Sequence, residues 1–392
     1  MNLFTEYPEK DEQQRCDRVT QVTRKRMEDL YGNGDKALRD THAKTHAAVR
    51  ATLEMLDFDE QSIKQAIAKH TGLSESQLST VSLKQGLLAQ AKTYPVWLRF
   101  ANGRTSVEHD YDGDTRSMSV KVMGVEGDRL LASHEQHSQD FVVQNADIFF
   151  IETIQNYYGF FSSVAKSKLW ALVWLLLHPK QRGCLKTITS RTPKSLLTER
   201  YWSGSASALG LPDGFDPTQP GTVPVTYPLA VKYAFTPVAP AAPHSPLTVE
   251  MRSPSSIEQA KTAAKNGVAD NYYRDDLIQS LGQAEAKYCW DFQIQVQASP
   301  EQSIDNVTMS WDETKAPFFT VGRLTVTSQT IDSEAQQTFA ENIQFSPWNG
   351  LTVHRPIGAL NRLRRLVYPL VADYRHYSRH VEYQEPTGYE QF

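Results

Sequence analysis

Apolar residues alternate with polar ones in several short stretches of this chain and elsewhere recur every three or four positions, which divides it into strands and helices. Val49 to Met55 alternates, as do Met118, Val120, Val122 and Trp290, Phe292, Ile294, Val296; each run predicts a half-buried strand. Further strands are expected at 96–101, at 140–151, around Ala230-Val231-Lys232-Tyr233 and at 318–327. The helical period predicts helices over 18–31 (stopped by Gly32 and Gly34), near 60–70, 256–266, 270–282 and 332–342, and over a long segment near the C-terminus. Helices set among strands without a regular strand–helix beat predict an α+β fold, an antiparallel β-barrel with inserted and flanking helices. The Pro-rich passage 211–246 is expected to wrap loosely around its one strand. A single domain spanning 1–392 is expected, with 1–17 and 383–392 as poorly ordered ends.

The segment 169–177, LWALVWLLL, is continuously apolar but far shorter than the roughly 20 residues a membrane-spanning helix needs. Two readings are open: a helix buried in the core, or an interfacial helix making peripheral membrane contact.

Composition narrows the class without choosing it. Apolar residues make up 40% and charged residues 22% of the 392, as in an ordinary globular enzyme. A net charge of −4 offers no attraction for nucleic acid. The basic run Arg362, Arg364, Arg365 is short and interrupted by leucine. Three scattered cysteines, Cys16, Cys184 and Cys289, form neither a disulfide framework nor a zinc spacing, which suits a reducing compartment. The first residues, MNLFTEYPEKDEQQR, lack the apolar core of a signal peptide, so a cytoplasmic location is expected.

The C-terminal helix carries the most chemistry. Ile357, Leu360, Leu363, Leu366, Val367, Leu370 and Val371 set its period, which puts Arg364 and Tyr368 one turn apart on one face, with Arg375 three turns on from Arg364. A guanidinium beside a phenol favours the phenolate, but from an unperturbed value of about 10 a neutral-pH phenolate needs a large shift or a metal. Ferric haem accepts a tyrosine as proximal ligand. The alternative is plain packing and hydrogen bonding. Pro369, which removes a helical hydrogen bond, suggests a kink directly after the tyrosine. His42 is either an acid/base or a polar loop residue. His134-x-x-His137 with Glu135 has too few ligands for a metal site, and Asp110 to Asp114 imitates a calcium loop but has Lys121 where a glutamate is needed. Phosphate-binding loops, nucleophile elbows and zinc-protease motifs are absent from the sequence.

Taken in order, several segments resemble the haem catalases. Thr41-His42-Ala43-Lys44 is similar to the family's distal-histidine strand, and Val96-Trp97-Leu98-Arg99-Phe100 to its Val-Arg-Phe strand. Asp114 to Lys121, Asp140 to Ile151, Trp290 to Val296 and Val321 to Leu324 resemble later stretches of it. Arg364-x-x-x-Tyr368-Pro369, with Arg375 beyond, resembles the haem-ligand helix. The resemblance implies a catalase-type barrel without the C-terminal helical domain of full-length catalases, holding haem b. It implies that Tyr368 ligates the iron, Arg364 holds it as phenolate, and Arg39, Arg99 and Arg375 bind the haem propionates. It further implies that His42 is the distal acid/base and that Phe149 and Tyr157 lie against the haem.

Three positions depart from the family pattern. Gln144, followed by Asn145, stands where catalases have the distal asparagine; Ala101 stands where a serine orients the histidine; and Thr41 replaces valine. A threonine–histidine pair resembles the catalase-related allene oxide synthases, in which the hydroxyl bonds the imidazole and blunts its reaction with hydrogen peroxide. The leading expectation is therefore a homo-oligomeric, haem-dependent enzyme cleaving the O–O bond of a small-molecule hydroperoxide, derived from a fatty acid, as isomerase, dehydratase or peroxidase. The alternatives are hydrogen peroxide catalase or peroxidase action, and a haem or lipid carrier without turnover.

Overall fold

The computed structural model describes residues 2–34, 36–132, 135–219, 221–238 and 251–389. In chain order the strands are β1 (Thr5–Glu6), β2 (Thr45–Met55), β3 (Lys92–Asn102), β4 (Arg116–Met123), β5 (Ser138–Gln144), β6 (Tyr201–Trp202), β7 (Ser207–Ala208), β8 (Val225–Thr226), β9 (Ala230–Val238), β10 (Lys287–Val296) and β11 (Phe318–Thr327). The helices are α1 (Glu12–Tyr31), α2 (Glu60–Thr71), α3 (Glu75–Ser79), α4 (Ile154–Lys166), α5 (Lys168–Leu177), α6 (Pro179–Ile188), α7 (Pro254–Lys265), α8 (Tyr272–Leu281), α9 (Glu334–Asn342) and α10 (Ala359–Arg379).

Eight antiparallel strands close into a barrel in the order β10-β11-β2-β3-β4-β5-β6-β9, with β9 pairing back onto β10. Closure leaves the barrel without an unpaired edge. The period of two explains its interior. Val49, Ala51 and Leu53 from β2, Val96, Leu98 and Phe100 from β3, and Met118, Val120 and Val122 from β4 all join one buried cluster with Trp290, Phe292 and Ile294. Phe292 pairs with Gly322 and Gln293 with Thr320, so Val321 is an extra residue and a bulge bends β11.

The outer face of β3–β5 is covered as well, which is why β3 from Val96 onward and all of β4 are buried. Trp97 and Met123 pack under Phe339, Ala340 and Ile343 near α9. α1, α4 and α10 form a second layer around Cys16, Val19, Ile154 and Leu363. α10 starts at Gly358, whose φ of 90° and approach of 2.5 Å between a would-be Cβ and the Ile304 carbonyl admit no side chain.

Several expectations change. β5 ends at Gln144 rather than 151, because the Gln144 side chain donates to the Ile148 carbonyl (2.8 Å) and turns the chain out of the sheet. Residues 2–17, expected as a loose end, carry β1 and the first turns of α1, with Glu6 fully buried. At the other end Tyr383 bonds Glu135 and Tyr389 bonds the backbone of β2. α5 is not a core helix: only Trp174 is buried. No helix among the described residues is long and apolar enough to cross a membrane. His134 and residues 239–246 of the Pro-rich passage lie outside the described residues.

Candidate active site

A cavity of about 530 Å³ lies between the outer face of the barrel and the helical layer, within the usual range for a small-molecule pocket. Arg99, Ser119 and Val142 are cross-strand neighbours on β3, β4 and β5, and they form its floor with Gln144. Leu360, Leu363, Arg364, Val367, Tyr368, Val371, Ala372 and Arg375 form the opposite wall, a stripe at helical spacing along α10. The helix runs through Pro369 as one element.

His42 enters from the segment before β2 with φ 59°, a left-handed conformation uncommon outside glycine. Its backbone is held on both sides: the N–H donates to the Gly103 carbonyl (3.3 Å), and the carbonyl accepts from Arg99 Nη2 (2.9 Å). The ring Nδ1 lies 3.1 Å from the Asn102 carbonyl. A carbonyl only accepts, so Nδ1 carries the proton and Nε2 keeps its lone pair. Asn102 is locked by its side chain, which bonds Asp110 (2.8 Å), His46 (2.8 Å) and Arg116 (2.9 Å). Burial, then the positive charge of Arg99, pushes the His42 imidazole down to about 3, so it is neutral at physiological pH. Asp110, the start of the calcium-loop imitation, is thus a buried partner of Lys44 (2.8 Å) and Asn102.

One end of the cavity concentrates positive charge. Arg39, Arg99 and Arg375 all line it: Arg39 donates to the Ala340, Glu341 and Ile343 carbonyls, Arg375 Nη1 to those of Glu341 and Asn342, and Arg99 Nη2 to the His42 carbonyl and the Thr45 hydroxyl. The Nε atoms of Arg99 and Arg375 are buried with no partner among the described residues. Among the described residues, the carboxylate ion-paired to this cluster is Glu341, at 3.8 Å from Arg39 and 3.7 Å from Arg379. Asp40 is occupied by Arg26 (2.6 Å). Burial and mutual repulsion lower Arg99 and Arg375 well below the usual guanidinium range. The other end is apolar, lined by Phe149, Phe150, Phe160, Phe161, Leu185 and Ile188, with Tyr157 stacked on Phe161 at 4.4 Å. Burial raises the Tyr157 phenol, which stays protonated.

The structure therefore brings Arg39, Thr41, His42, Arg99, Gln144, Phe149, Tyr157, Arg364, Tyr368 and Arg375 to one cavity. Asn145 is not among its lining residues. It is 2% exposed, accepting from the Arg116 N–H (2.7 Å) and donating to Glu199 (2.9 Å), because alternation along β5 turns it away from Gln144. Two implied bonds are absent among the described residues. Thr41 makes no hydrogen bond to the His42 ring, which Asn102 holds instead, and Arg364 bonds Ser205 (3.1 Å) and Asn361 (3.3 Å) rather than Tyr368. Glu341, Asn102 and Ser119 escaped the sequence reading. Only Ser119 carried a signal, its outward register in a strand whose inward positions are all apolar.

No protein-family description matches the chain, and no curated protein sequence is similar to it. Solved structures are similar. A fungal catalase superposes with a TM-score of 0.58 at 17% identity, covering 88% of this chain and 61% of its own. A bacterial catalase gives 0.57 at 16%, covering 89% and 59%. Catalase A from Saccharomyces cerevisiae gives 0.60 at 14%, covering 88% and 63%. The chain has the catalase fold. It spans about three fifths of the length of these catalases.

The residues of the cavity fit the group that this fold implies. A haem carries two propionate carboxylates on a flat apolar body, and the cavity pairs an arginine cluster short of anions with an aromatic end. Cys16, Cys184 and Cys289 do not line it. Among the described residues no group of three or more His, Cys, Asp or Glu is placed to hold a bare metal ion.

Proposed function

We propose that this chain binds haem b in the cavity and acts on organic hydroperoxides, those derived from fatty acids fitting its apolar end best. The observation that carries the reading is the pairing, in one cavity, of a neutral His42 and Tyr368 on opposing walls with three arginines short of counter-charge, Arg99 and Arg375 buried and Arg39 half-buried. Tyr368 would ligate the iron; Arg39, Arg99 and Arg375 would hold the propionates through charge-assisted bonds. Bound ferric haem supplies the redox centre at which an O–O bond is cleaved.

The chain's own groups do the rest. His42 Nε2, kept unprotonated, accepts the proton of the hydroperoxide and can return it to the departing oxygen. Gln144 offers an amide in the same cavity, held by its bond to the Ile148 carbonyl. Phe149 and Tyr157 exclude water and direct an apolar tail along the aromatic end. Isomerase, dehydratase and peroxidase outcomes differ in how that tail is held, not in these first steps.

A second reading, hydrogen peroxide dismutation or peroxidation, is favoured by one observation: the Thr41 hydroxyl is not bonded to the imidazole, so the brake expected of a threonine–histidine pair is missing. The deciding experiment is the absorption spectrum of purified, haem-loaded protein, titrated separately with hydrogen peroxide and with a fatty-acid hydroperoxide. The leading reading expects a Soret band that responds to the lipid hydroperoxide and consumption of that substrate. Brisk oxygen evolution from hydrogen peroxide, with the lipid hydroperoxide untouched, would establish the second, and Thr41→Val should then change little. A Soret band indifferent to both would mark a carrier. Tyr368→Phe should abolish stable haem binding; an unchanged spectrum would overturn the ligand assignment.

A further inference from the structure

Among the described residues, α5 is the segment whose exposure contradicts its chemistry. From Leu169 to Leu177 it carries no charge, yet Leu169 is 68%, Trp170 54%, Leu172 54%, Leu176 57% and Leu177 73% exposed. Trp174 alone is buried, edge-on to Phe160 and stacked on His178 with 3.8 Å between ring centres, and it pins the helix to its neighbours. Ten residues make about 15 Å of helix, half a bilayer core, so the helix can lie in an interface but cannot cross it.

The stretch of chain that carries it has charge of one sign. Between Thr153 and Thr198 the chain has seven lysines and arginines and no acidic residue, although its net charge is −4. Lys166, Lys168, Lys180, Arg182 and Lys186 flank the apolar helix on the exposed surface. Two of them meet carboxylates outside this stretch, Lys168 with Glu108 (3.8 Å) and Lys180 with Glu152 (2.7 Å). Lys168 also lines the cavity although its side chain is 98% exposed, so the cavity opens beside the first turn of α5. α4 and α6, on either side, line the apolar end of that cavity.

We propose that α5 docks on the surface of an anionic phospholipid bilayer, apolar face in the acyl boundary and flanking lysines and arginines among the headgroups, so that the cavity mouth faces the membrane. An exposed apolar helix rimmed by basic residues is the pattern that binds such interfaces. Delivery of a lipid hydroperoxide from bilayer to cavity rests on the function proposed above; docking itself does not.

The test is co-sedimentation of the full chain with vesicles of equal parts phosphatidylglycerol and phosphatidylcholine, and with phosphatidylcholine alone. Binding to the anionic vesicles at least about tenfold tighter than to the neutral ones is expected, weakening as salt is raised. Leu172→Asp with Leu176→Asp, both on the solvent side, should abolish it while leaving the Soret spectrum unchanged. Protein that stays in the supernatant with both vesicles overturns the proposal, as does binding that survives the double substitution. If instead light scattering shows the double variant to be monomeric where the parent is dimeric, and the parent ignores vesicles, the face belongs to a second copy and the proposal fails. Vesicle binding needs no peroxide, so docking and the proposed chemistry can fail separately.

Discussion

Arg362, near the start of α10, and Arg375, near its end, are both buried, but their surroundings are opposite. Arg362 meets Glu12 (2.5 Å), Asp305 (2.9 Å) and Glu6, and its neighbour Arg355 meets Glu6 at 3.2 Å. Burial alone would lower Arg362; Glu12, Glu6 and Asp305 outweigh it and raise the guanidinium. Burial alone would raise Glu6; Arg362 and Arg355 outweigh it and hold it down. Arg375 sits with Arg39, Arg99 and Arg379 around Glu341, and there burial and like charges lower the guanidinium. A closed network that ties β1, α1 and the start of α10 together needs nothing further. A cluster short of anions at a cavity is a place for a ligand that brings them.

Breaking the closed network should show the largest effect. Arg362→Ala leaves Glu12 buried without its cation and Glu6 with Arg355 alone, and should cost about 3–5 kcal/mol in urea unfolding, since removing one member of a buried pair strands the other. Arg375→Leu should do the reverse to the haem-free protein, leaving its stability within about 1 kcal/mol or raising it, because a buried cation without a full partner is removed. The same variant should bind haem roughly 10- to 100-fold more weakly, the worth of a charged hydrogen bond of about 1.5–3 kcal/mol. Equal destabilisation by both substitutions would erase the distinction.

The contrast repeats within two adjacent residues. Asn145→Ala strands the Arg116 N–H and Glu199 and should cost about 1–3 kcal/mol. Gln144→Ala removes only the bond to the Ile148 carbonyl, should cost about 0.5–1 kcal/mol, and should in addition change the rate of peroxide turnover. The last effect shows only as the pH falls, and it concerns His42. Its folded value of about 3 lies below the ordinary 6.5, so between these values the unfolded chain binds the proton and the folded one does not. Its contribution is therefore complete above pH 6.5 and is lost as pH falls toward 3. The acid side of a stability–pH curve should flatten by about 1 kcal/mol per pH unit in His42→Gln.

The barrel was legible because alternation in β2, β3, β4 and β10 is set by a pleat that each strand carries alone. α1 was read six residues short because Glu12 and Cys16 give no periodic apolar signal. Glu12 is buried only because Arg362, some 350 residues away, neutralises it. β5 was read too long because the turn that ends it comes from the Gln144 side chain, not from glycine or proline. α5 stayed open between core and interface because a run of leucines and tryptophans reads the same in a core helix and in one laid on a surface. At the site, Arg364, Tyr368 and Arg375 could be put on one face from helical spacing. That Gln144 rather than Asn145 reaches the cavity depended on where β5 ends and which way its last side chains point.

Local periods thus determined most of the elements and the barrel class, and helical spacing put Arg364, Tyr368 and Arg375 on one face, since these depend on neighbours a few positions away; the other cavity residues were reached through the resemblance to catalases. Only the tertiary structure decided which buried arginines are neutralised, which atom holds the His42 ring, and whether α5 faces protein or solvent. Each of those depends on a partner brought from a distant part of the chain, and charge balance and burial exist only once that partner has arrived.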